Sequence, residues 1–403
     1  MLDLPGDKLV GVYQPREMPG VPDLRAEVEG ALAAPVHSPP LRDLARGRRT
    51  AAIVVDDVSR SVPNAELLPP ILDELRAGGV ELSDVTVIVA TGLHRALTER
   101  ELEATRGDLP VRILSHQAGR EAELVSIGTT SLGQEIRINR AYASAELKIL
   151  VGDVEVHQFC GYGGGAKSIY PGIADFESIR HNHSMMEAQG AGPGRWEGNP
   201  VRQEIEEVGR MAGVDFLLSV VMNSRKEVVR ATAGHAVEAF LAGARIVDAM
   251  YRVEVPEAAD LVIASAGGHP KDVDLYQAQK AVTAGRRIAR RGGTIAAIAE
   301  CSEGHGSEVF DRWMNQATSV EEIFERIRAE FVMGGHKAYQ LAREIAWAKV
   351  CLLSALPPGQ VRSYFMTPLA GARDLMELVG RAGTIAALPQ ATLTLAEIAG
   401  AGS

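Results

Sequence analysis

The sequence has few cysteines, no long apolar run and no excess of basic charge, and each absence excludes a class of protein. Its three cysteines, Cys160, Cys301 and Cys351, are scattered without a CxxC pair, so neither a disulfide framework nor a structural zinc site is expected. No apolar run approaches the ~18–20 residues of a membrane span. The formal net charge of −10, without a basic run interleaved with aromatics, argues against nucleic-acid binding.

The beginning of the chain also lacks the pattern of a secretory signal. No charged stretch there is followed by an apolar one, so no signal peptide is expected. Together with the scattered cysteines, this predicts a protein of the reducing cytoplasm that has no membrane partner. With 403 residues, of which 46% are hydrophobic, the chain is long enough for two cores.

Short β-branched apolar runs alternate with longer helical patterns, which predicts βαβ units and mostly parallel sheets. The predicted strands are Ala51–Val55, Val85–Ala90, Val111–Leu114, Leu147–Val151, Leu261–Ala264, Thr294–Ile298, Lys349–Leu353 and Thr384–Ala387. The predicted helices include Ala65–Ala77, Leu97–Thr105, Gln277–Arg290 and Val320–Glu330.

This pattern predicts two α/β domains with an active-site cleft between them. Because Pro256 separates two patterned blocks, we expect an N-terminal domain over residues 1–254 and a C-terminal domain over 255–403. The last residues, 393–403, could pack back on the first domain, and the sequence leaves this open.

Charged residues and histidines follow several of the predicted strands directly. In open α/β sheets, ligands bind beyond the carboxyl ends of the strands. Asp56 to Arg60 follow the first predicted strand, Thr91 to Arg95 the second, and Gly152, Asp153 and later His157 the fourth. This clustering predicts a catalytic crevice at these strand ends.

The densest signal is a glycine-rich segment that runs from His157 to Ser168 and contains Lys167. Glycines allow backbone N–H groups to approach an anion closely, and a lysine at the end of such a loop suggests a phosphate. The phosphate-binding loop of nucleotide triphosphatases fits poorly, because Ala166 replaces its second glycine and Pro171 falls where its helix should run. Alternatively, the glycines form a tight turn and Lys167 is solvated.

Three histidines outside the glycine-rich segment are also candidates for catalysis or metal binding. His181 and His183 are two residues apart, so on a helix at most one of them could face a given metal. His94 follows Thr-Gly-Leu directly after a strand, although a supporting or surface position is the alternative. No HExxH pattern is present, so a zinc hydrolase is not favoured.

Together, these segments resemble the lactate racemase family in content and order, over most of the chain. The matching segments are Asp56–Pro63, Thr91–Arg95, His157–Lys167 with Pro171-Gly172, His183, Pro270–Asp272 leading into Tyr276–Lys280, and Gly334–Ala338.

The resemblance implies a nickel-pincer nucleotide, a pyridinium-3-thioamide-5-thiocarboxylate mononucleotide whose carbon and two sulfurs hold nickel. It implies that Lys167 carries this cofactor covalently and that His183 ligates the nickel. It also implies further site residues. The implied acid–base pair is His94 and His157; the implied cofactor-binding residues are Asp56, Asp57, Ser59, Gly163, Gly164 and Gly165; the implied substrate-binding residues are Arg60, Gln277 and Lys280. Which aspartate of the pair contacts the site stays open.

The resemblance therefore implies a racemase or 2-epimerase of a small-molecule 2-hydroxy acid. The C2–H of such an acid is very weakly acidic, so its removal as hydride, while a base takes the hydroxyl proton, avoids a carbanion. Neutral imidazole suits the base, and two bases serve the two enantiomers, unless one histidine only binds the cofactor or packs. Enzymes that build the cofactor are expected partners for loading, and a homo-oligomer is possible. The alternatives are a phosphate-loop-like nucleotide hydrolase and a non-catalytic protein that binds the nickel cofactor.

Overall fold

The computed structural model describes residues 4–332 and 334–400, which form two units, each built on a mostly parallel sheet. The first unit is Glu17–Ala249, and the second combines the described residues of Met1–Arg16 and Met250–Ser403. Helices alternate with the strands of both sheets, so the α/β fold that the sequence predicts is confirmed.

Each of the eight predicted strands overlaps a described strand, and the structure contains further strands that were not predicted. In chain order they are β1 (Leu9–Val12), β2 (Ala51–Asp56), β3 (Val85–Ala90), β4 (Arg112–Ser115), β5 (Leu124–Thr129), β6 (Glu135–Asn139), β7 (Leu147–Asp153), β8 (Val156–His157), β9 (Cys160–Tyr162), β10 (Gly192–Pro193), β11 (Phe216–Met222), β12 (Val228–Gly234), β13 (Arg252–Val255), β14 (Ala259–Ser265), β15 (Ala289–Ile298), β16 (Lys349–Leu353), β17 (Thr367–Leu369), β18 (Ile385–Leu388) and β19 (Leu395–Ile398).

The helices fill the gaps between the strands. They are α1 (Leu24–Ala33), α2 (Leu41–Ala45), α3 (Asn64–Ala77), α4 (Glu99–Arg106), α5 (Arg140–Ala143), α6 (Phe176–Ser184), α7 (Pro200–Ala212), α8 (Ala236–Tyr251), α9 (Leu275–Ile288), α10 (Glu308–Gln316), α11 (Val320–Ala329), α12 (Gly335–Trp347), α13 (Pro358–Ser363) and α14 (Ala372–Arg381). None of the helices in the described ranges is long and apolar enough to cross a membrane.

The first unit is organised around a six-stranded sheet in the order β12-β11-β7-β2-β3-β4. All its pairs are parallel except β11 with β12. The strand β2 is central, and its first five residues are fully buried, as expected for a strand covered on both faces. Side chains of α1 and α3 pack with those of β2, β3, β7 and β11 in one hydrophobic core.

The second unit has a fully parallel sheet in the order β1-β18-β14-β15-β16-β17. Its core includes Leu261, Ile263, Ala296 and Ile385 from the strands and Leu375 from α14. A separate two-stranded ladder pairs β13 with β19 in parallel.

Residues 4–16 are an exception to the expected domain of 1–254. They belong to the second unit, because β1 pairs with β18 and covers the edge of that sheet. Near the other end of the chain, β19 pairs with β13, and residues 401–403 lie outside the described residues. Four strands of the two six-stranded sheets, β1, β11, β12 and β17, are not among the predicted ones, although Phe216–Met222 of β11 is a continuous, buried run that is mostly apolar.

We expect deletion of residues 1–12 to loosen the second unit while the first stays intact. Without β1, the backbone groups of β18 would form an open sheet edge and exchange with solvent. Hydrogen exchange measured by mass spectrometry should be about tenfold faster or more at Ile385–Leu388, and unchanged in β7, which is the internal control. Unchanged exchange in β18 would contradict the importance of this pairing.

Candidate active site

The candidate residues of the first unit follow three neighbouring strands of its sheet. The strands β3 and β7 flank β2 and run parallel to it, so their carboxyl ends meet at one edge. The segment 56–60 leaves β2 there, 91–95 leaves β3, and 153–167 leaves β7. The sheet therefore brings the segments that carry most of the predicted site residues to one place.

An aspartate and a histidine from two of these segments form a close pair. His94 Nδ1 lies 2.6 Å from Asp57 Oδ2, with Asp57 buried and the His94 side chain 60% exposed. The other oxygen, Asp57 Oδ1, accepts a hydrogen bond from the Ser59 backbone N–H at 2.6 Å. Burial opposes the ionised form of Asp57, but the hydrogen bonds from His94 and Ser59 outweigh it and lower its pKa to about 2.

The ionised Asp57 determines which ring nitrogen of His94 carries the hydrogen. A carboxylate only accepts hydrogen bonds, so Nδ1 of His94 carries the hydrogen, and the lone pair of the neutral ring is on Nε2. This exposed imidazole can therefore take a proton at Nε2, while Asp57 stabilises the resulting cation.

The neighbouring Asp56 has a different environment. Its Oδ2 accepts the backbone N–H of Asp153 at 2.9 Å, and a Cβ at position 152 would lie only 2.4 Å from that oxygen, which explains Gly152. Burial raises the pKa of Asp56. Burial also raises the pKa of Asp153 well above its usual range, and the negative charges of Glu155 and Asp56 add to this effect. Asp57 is thus the aspartate that holds His94, and Asp56 connects β2 to β7.

Arg60 forms an ion pair that the sequence analysis did not predict. Its Nη1 donates to Oε1 of Glu155 at 2.6 Å, and the two side chains are 36% and 39% exposed. Burial favours the neutral guanidine, but the negative charges of Glu155 and Asp153 outweigh it and raise the pKa of Arg60. The one feature of the sequence that could have pointed to Glu155 is its position two residues before His157, a predicted site residue.

Lys167 is half-buried in a short 3-10 turn, Gly165–Ser168, that follows β9. Burial lowers the pKa of its amine, and the positive charge of Arg60 lowers it further. A larger fraction of the amine is therefore neutral and nucleophilic than in a solvated lysine. The next helix, α6, begins only at Phe176, so this loop lacks the helix start that binds phosphate in nucleotide triphosphatases.

The protein's own packing explains two glycines of the loop. Gly164 has φ +84°, and a Cβ there would lie 2.0 Å from the carbonyl oxygen of Asp153. Gly165 has φ +62°, and its Cβ would lie 2.8 Å from the ring of Phe240. Contact of Gly163, Gly164 and Gly165 with a cofactor stays a prediction.

The buried side chain of Arg202 forms hydrogen bonds with the backbone of the same loop. The guanidinium of Arg202 donates to the carbonyl oxygens of Tyr162, at 3.2 Å, and Gly164, at 3.4 Å. It also lies over the ring of Phe240, 4.1 Å from the ring centroid, and pairs with Glu206 at 2.7 Å. These contacts fix the backbone that leads into Lys167.

Phe159 packs edge-on against two of the predicted histidines. Its ring centroid is 4.6 Å from that of His157 and 5.5 Å from that of His183. His157 Nδ1 accepts the backbone N–H of Cys160 at 3.4 Å, a long and therefore weak hydrogen bond. His157 and His183 are thereby brought together around one aromatic ring.

His181 and His183 have different partners on α6. His183 Nδ1 donates to the Ile179 carbonyl at 2.9 Å, so its Nε2 carries the lone pair that a metal would use. Burial lowers the pKa of His183 to about 4, which keeps the ring neutral. His181 Nε2 instead lies 3.1 Å from Oε1 of buried Glu204, which also accepts from Tyr170 and Thr130.

Gln277 and Lys280 lie in the second unit, near the beginning of α9. The side chain of Asp274 caps this helix by accepting the Gln277 backbone N–H at 2.7 Å. Lys280 is exposed. Burial lowers the pKa of Lys337 to about 7, and the positive charge of Lys280 contributes to this shift. The ammonium nitrogen of Lys337 lies 5.3 Å from the ring centroid of Tyr276.

A cluster of possible metal ligands in the second unit is not among the predicted site residues. Ligand atoms of His305, Glu308 and Asp311 lie within 4.8 Å of one another. The Glu308 side chain is 91% exposed, and Asp311 accepts hydrogen bonds from Tyr364 and Asn315. These hydrogen bonds explain the position of the Asp311 carboxylate without a metal ion.

Comparison with known proteins gives consistent matches over the chain. Residues 1–193 match the lactate racemase N-terminal domain, and residues 255–378 match the lactate racemase C-terminal domain. A lactate racemase from Thermoanaerobacterium thermosaccharolyticum is 33% identical over 395 residues, which cover 95% of this chain and 92% of the relative. One from Lactiplantibacillus plantarum is 33% identical over 304 residues, 74% of this chain and 71% of the relative.

Solved structures give the same result. The lactate racemase apoprotein from Thermoanaerobacterium thermosaccharolyticum superimposes with a TM-score of 0.90 at 31% identity, covering 98% of this chain and 97% of that one. A Thermotoga maritima protein has a TM-score of 0.66 at 16% identity, covering 94% and 100% respectively, and shows a shared fold alone.

We expect Gly164→Ala to destabilise the first unit by about 2 kcal/mol or more. An alanine there would combine a left-handed backbone with a clash against a carbonyl oxygen. Gly192→Ala is the matched control, because Gly192 lies in the neighbouring strand β10 and has open space around its Cα. The measurement is urea unfolding of both variants, and equal stabilities would contradict the packing role of Gly164.

Proposed function

The chain belongs to the lactate racemase family, and from this we propose that it is an isomerase that inverts C2 of a 2-hydroxy acid, with lactate as the first substrate to test. The observation that carries the proposal is the Asp57–His94 pair at the strand ends from which the His157 segment also leaves. Inversion at a carbon that bears a hydroxyl needs a proton acceptor for each enantiomer, and two imidazoles meet this need.

Lys167 and His183 fit the cofactor that the family resemblance implies. The partly neutral amine of Lys167 suits a covalent attachment, and the Nε2 lone pair of His183 suits a metal. An imidazole nitrogen is a ligand that suits nickel, so His183 would hold the metal and Lys167 would carry the nucleotide. When bound, the nickel-pincer nucleotide supplies a reversible acceptor for the C2 hydride.

The protein's own residues move and stabilise the charges of the reaction. His94 takes the hydroxyl proton of one enantiomer at Nε2, and Asp57 stabilises the imidazolium. His157 donates a proton to the keto oxygen of the planar 2-keto acid as the other enantiomer forms, and it takes that proton back in the reverse direction. Arg60 binds the substrate carboxylate, and Gln277 and Lys280 are further proposed substrate-binding residues.

The test of this function is a racemisation screen over single enantiomers of lactate and other 2-hydroxy acids. Protein made together with the cofactor-building enzymes should convert at least one acid to the racemate or epimer. Its intact mass should show an adduct that a Lys167→Ala control lacks. Loaded protein that leaves every acid unchanged would favour a non-catalytic protein that binds the nickel cofactor.

We expect single replacement of His94 or His157 by Gln to slow racemisation by ~100-fold or more, the usual size of an acid–base contribution. Each variant lacks the proton acceptor for one enantiomer, so both directions of the full reaction suffer. Rates should be measured from each enantiomer separately. His235→Gln, at an exposed position of the first unit, is the control. Near-normal racemisation by either variant would remove that histidine from the mechanism.

We expect His183→Ala to lose most bound nickel and His181→Gln to retain it. His183 supplies the proposed ligand atom, whereas His181 is held by Glu204. Nickel per protein should be measured by mass spectrometry after loading, and melting curves should establish that both variants fold. The reverse order of nickel contents would show that His181 is the ligand.

A further inference from the structure

Glu155 joins two segments of the candidate site through separate groups. Its side chain accepts from Arg60 Nη1 at 2.6 Å, across 95 residues of sequence. Its backbone carbonyl accepts from the Gly163 N–H at 2.7 Å. A side chain at position 163 would bring a Cβ to 3.1 Å from Cγ of Glu155, so a glycine there leaves room for this glutamate.

The ion pair leaves part of the arginine available for a ligand. A guanidinium carries five N–H donors in a rigid plane, and a carboxylate binds best to two parallel donors. Nη1 makes the only side-chain hydrogen bond of Arg60 within the described residues. The Nε and Nη2 donors therefore remain for a second carboxylate, and Glu155 restricts the direction in which they point.

The Arg60–Glu155 ion pair contributes little to the stability of the fold. Both side chains are more than one third exposed, and ion pairs with such exposure contribute little to folding. The same exposure means that Arg60 would move among rotamers if Glu155 did not hold it, because an arginine side chain has large rotamer entropy. The contact therefore restricts the rotamers of Arg60.

We propose that Glu155 is a positioning residue that holds Arg60 with its Nε and Nη2 donors directed at the carboxylate of the substrate. This inference rests on the proposed function, since it takes the ligand to be a 2-hydroxy acid. Glu155 itself does not touch the substrate. Its loss should therefore weaken substrate binding and leave the chemical step nearly unchanged.

The test uses cofactor-loaded protein and a ligand that binds without reacting. 2-Hydroxyisobutyrate keeps the carboxylate and hydroxyl but has no C2–H, so its Kd can be measured by calorimetry. We expect Glu155→Gln to raise this Kd, and the KM of the substrate, about tenfold, with kcat within about threefold. Glu146→Gln is the matched control, because Glu146 pairs with exposed Arg49 at the same 2.6 Å and should change neither constant.

A double-mutant cycle separates positioning from other roles of Glu155. If Glu155 acts through Arg60, then Arg60→Met with Glu155→Gln should bind 2-hydroxyisobutyrate no more weakly than Arg60→Met alone. Independent losses that multiply in the double variant, or an unchanged Kd in Glu155→Gln, would overturn the inference. Wild-type protein that binds the analogue but racemises nothing would refute the proposed function, and the Kd values would still decide the role of Glu155.

Discussion

The parallel pairing of β2 with β3 and β7 is the constraint on which the candidate site depends. Because all three strands run in one direction, the segments that follow them leave the sheet at the same edge. Residues far apart in sequence, such as Asp57 and His94 or Arg60 and Glu155, reach hydrogen-bonding distance only for this reason. A single antiparallel strand among the three would send one of these segments to the opposite edge.

Side chains and backbone packed against the glycine loop of the site restrict the position of its backbone. Arg202 holds the carbonyls of the glycine loop, and Gly164 and Gly165 are tightly packed against Asp153 and Phe240. The loop is therefore shaped by contacts within the protein. A lysine carried on such a loop has a fixed backbone position, which reduces the entropy lost when a ligand is bound.

The sequence predicted eight of the twelve strands in the two six-stranded sheets, because buried parallel strands are continuous β-branched and apolar runs, and it missed β1, β11, β12 and β17. It also predicted from helical periodicity that at most one of His181 and His183 could face a given metal, and this stays a prediction; in the structure the two rings have different hydrogen-bond partners. It left Asp56 and Asp57 undistinguished, because the strand ends between them and side-chain alternation no longer applies. It missed Glu155, whose partner lies 95 residues away and is determined by the pairing of strands.

The pairing of β1 with β18 has a consequence for how the protein is made. Residues 17–249 interrupt the second unit, so its first strand leaves the ribosome long before its neighbour in the sheet. The first unit has its whole sequence early and can fold during synthesis. The edge strand β1 must wait for about 370 further residues, so completion of the second unit is a late event that closes a very long loop.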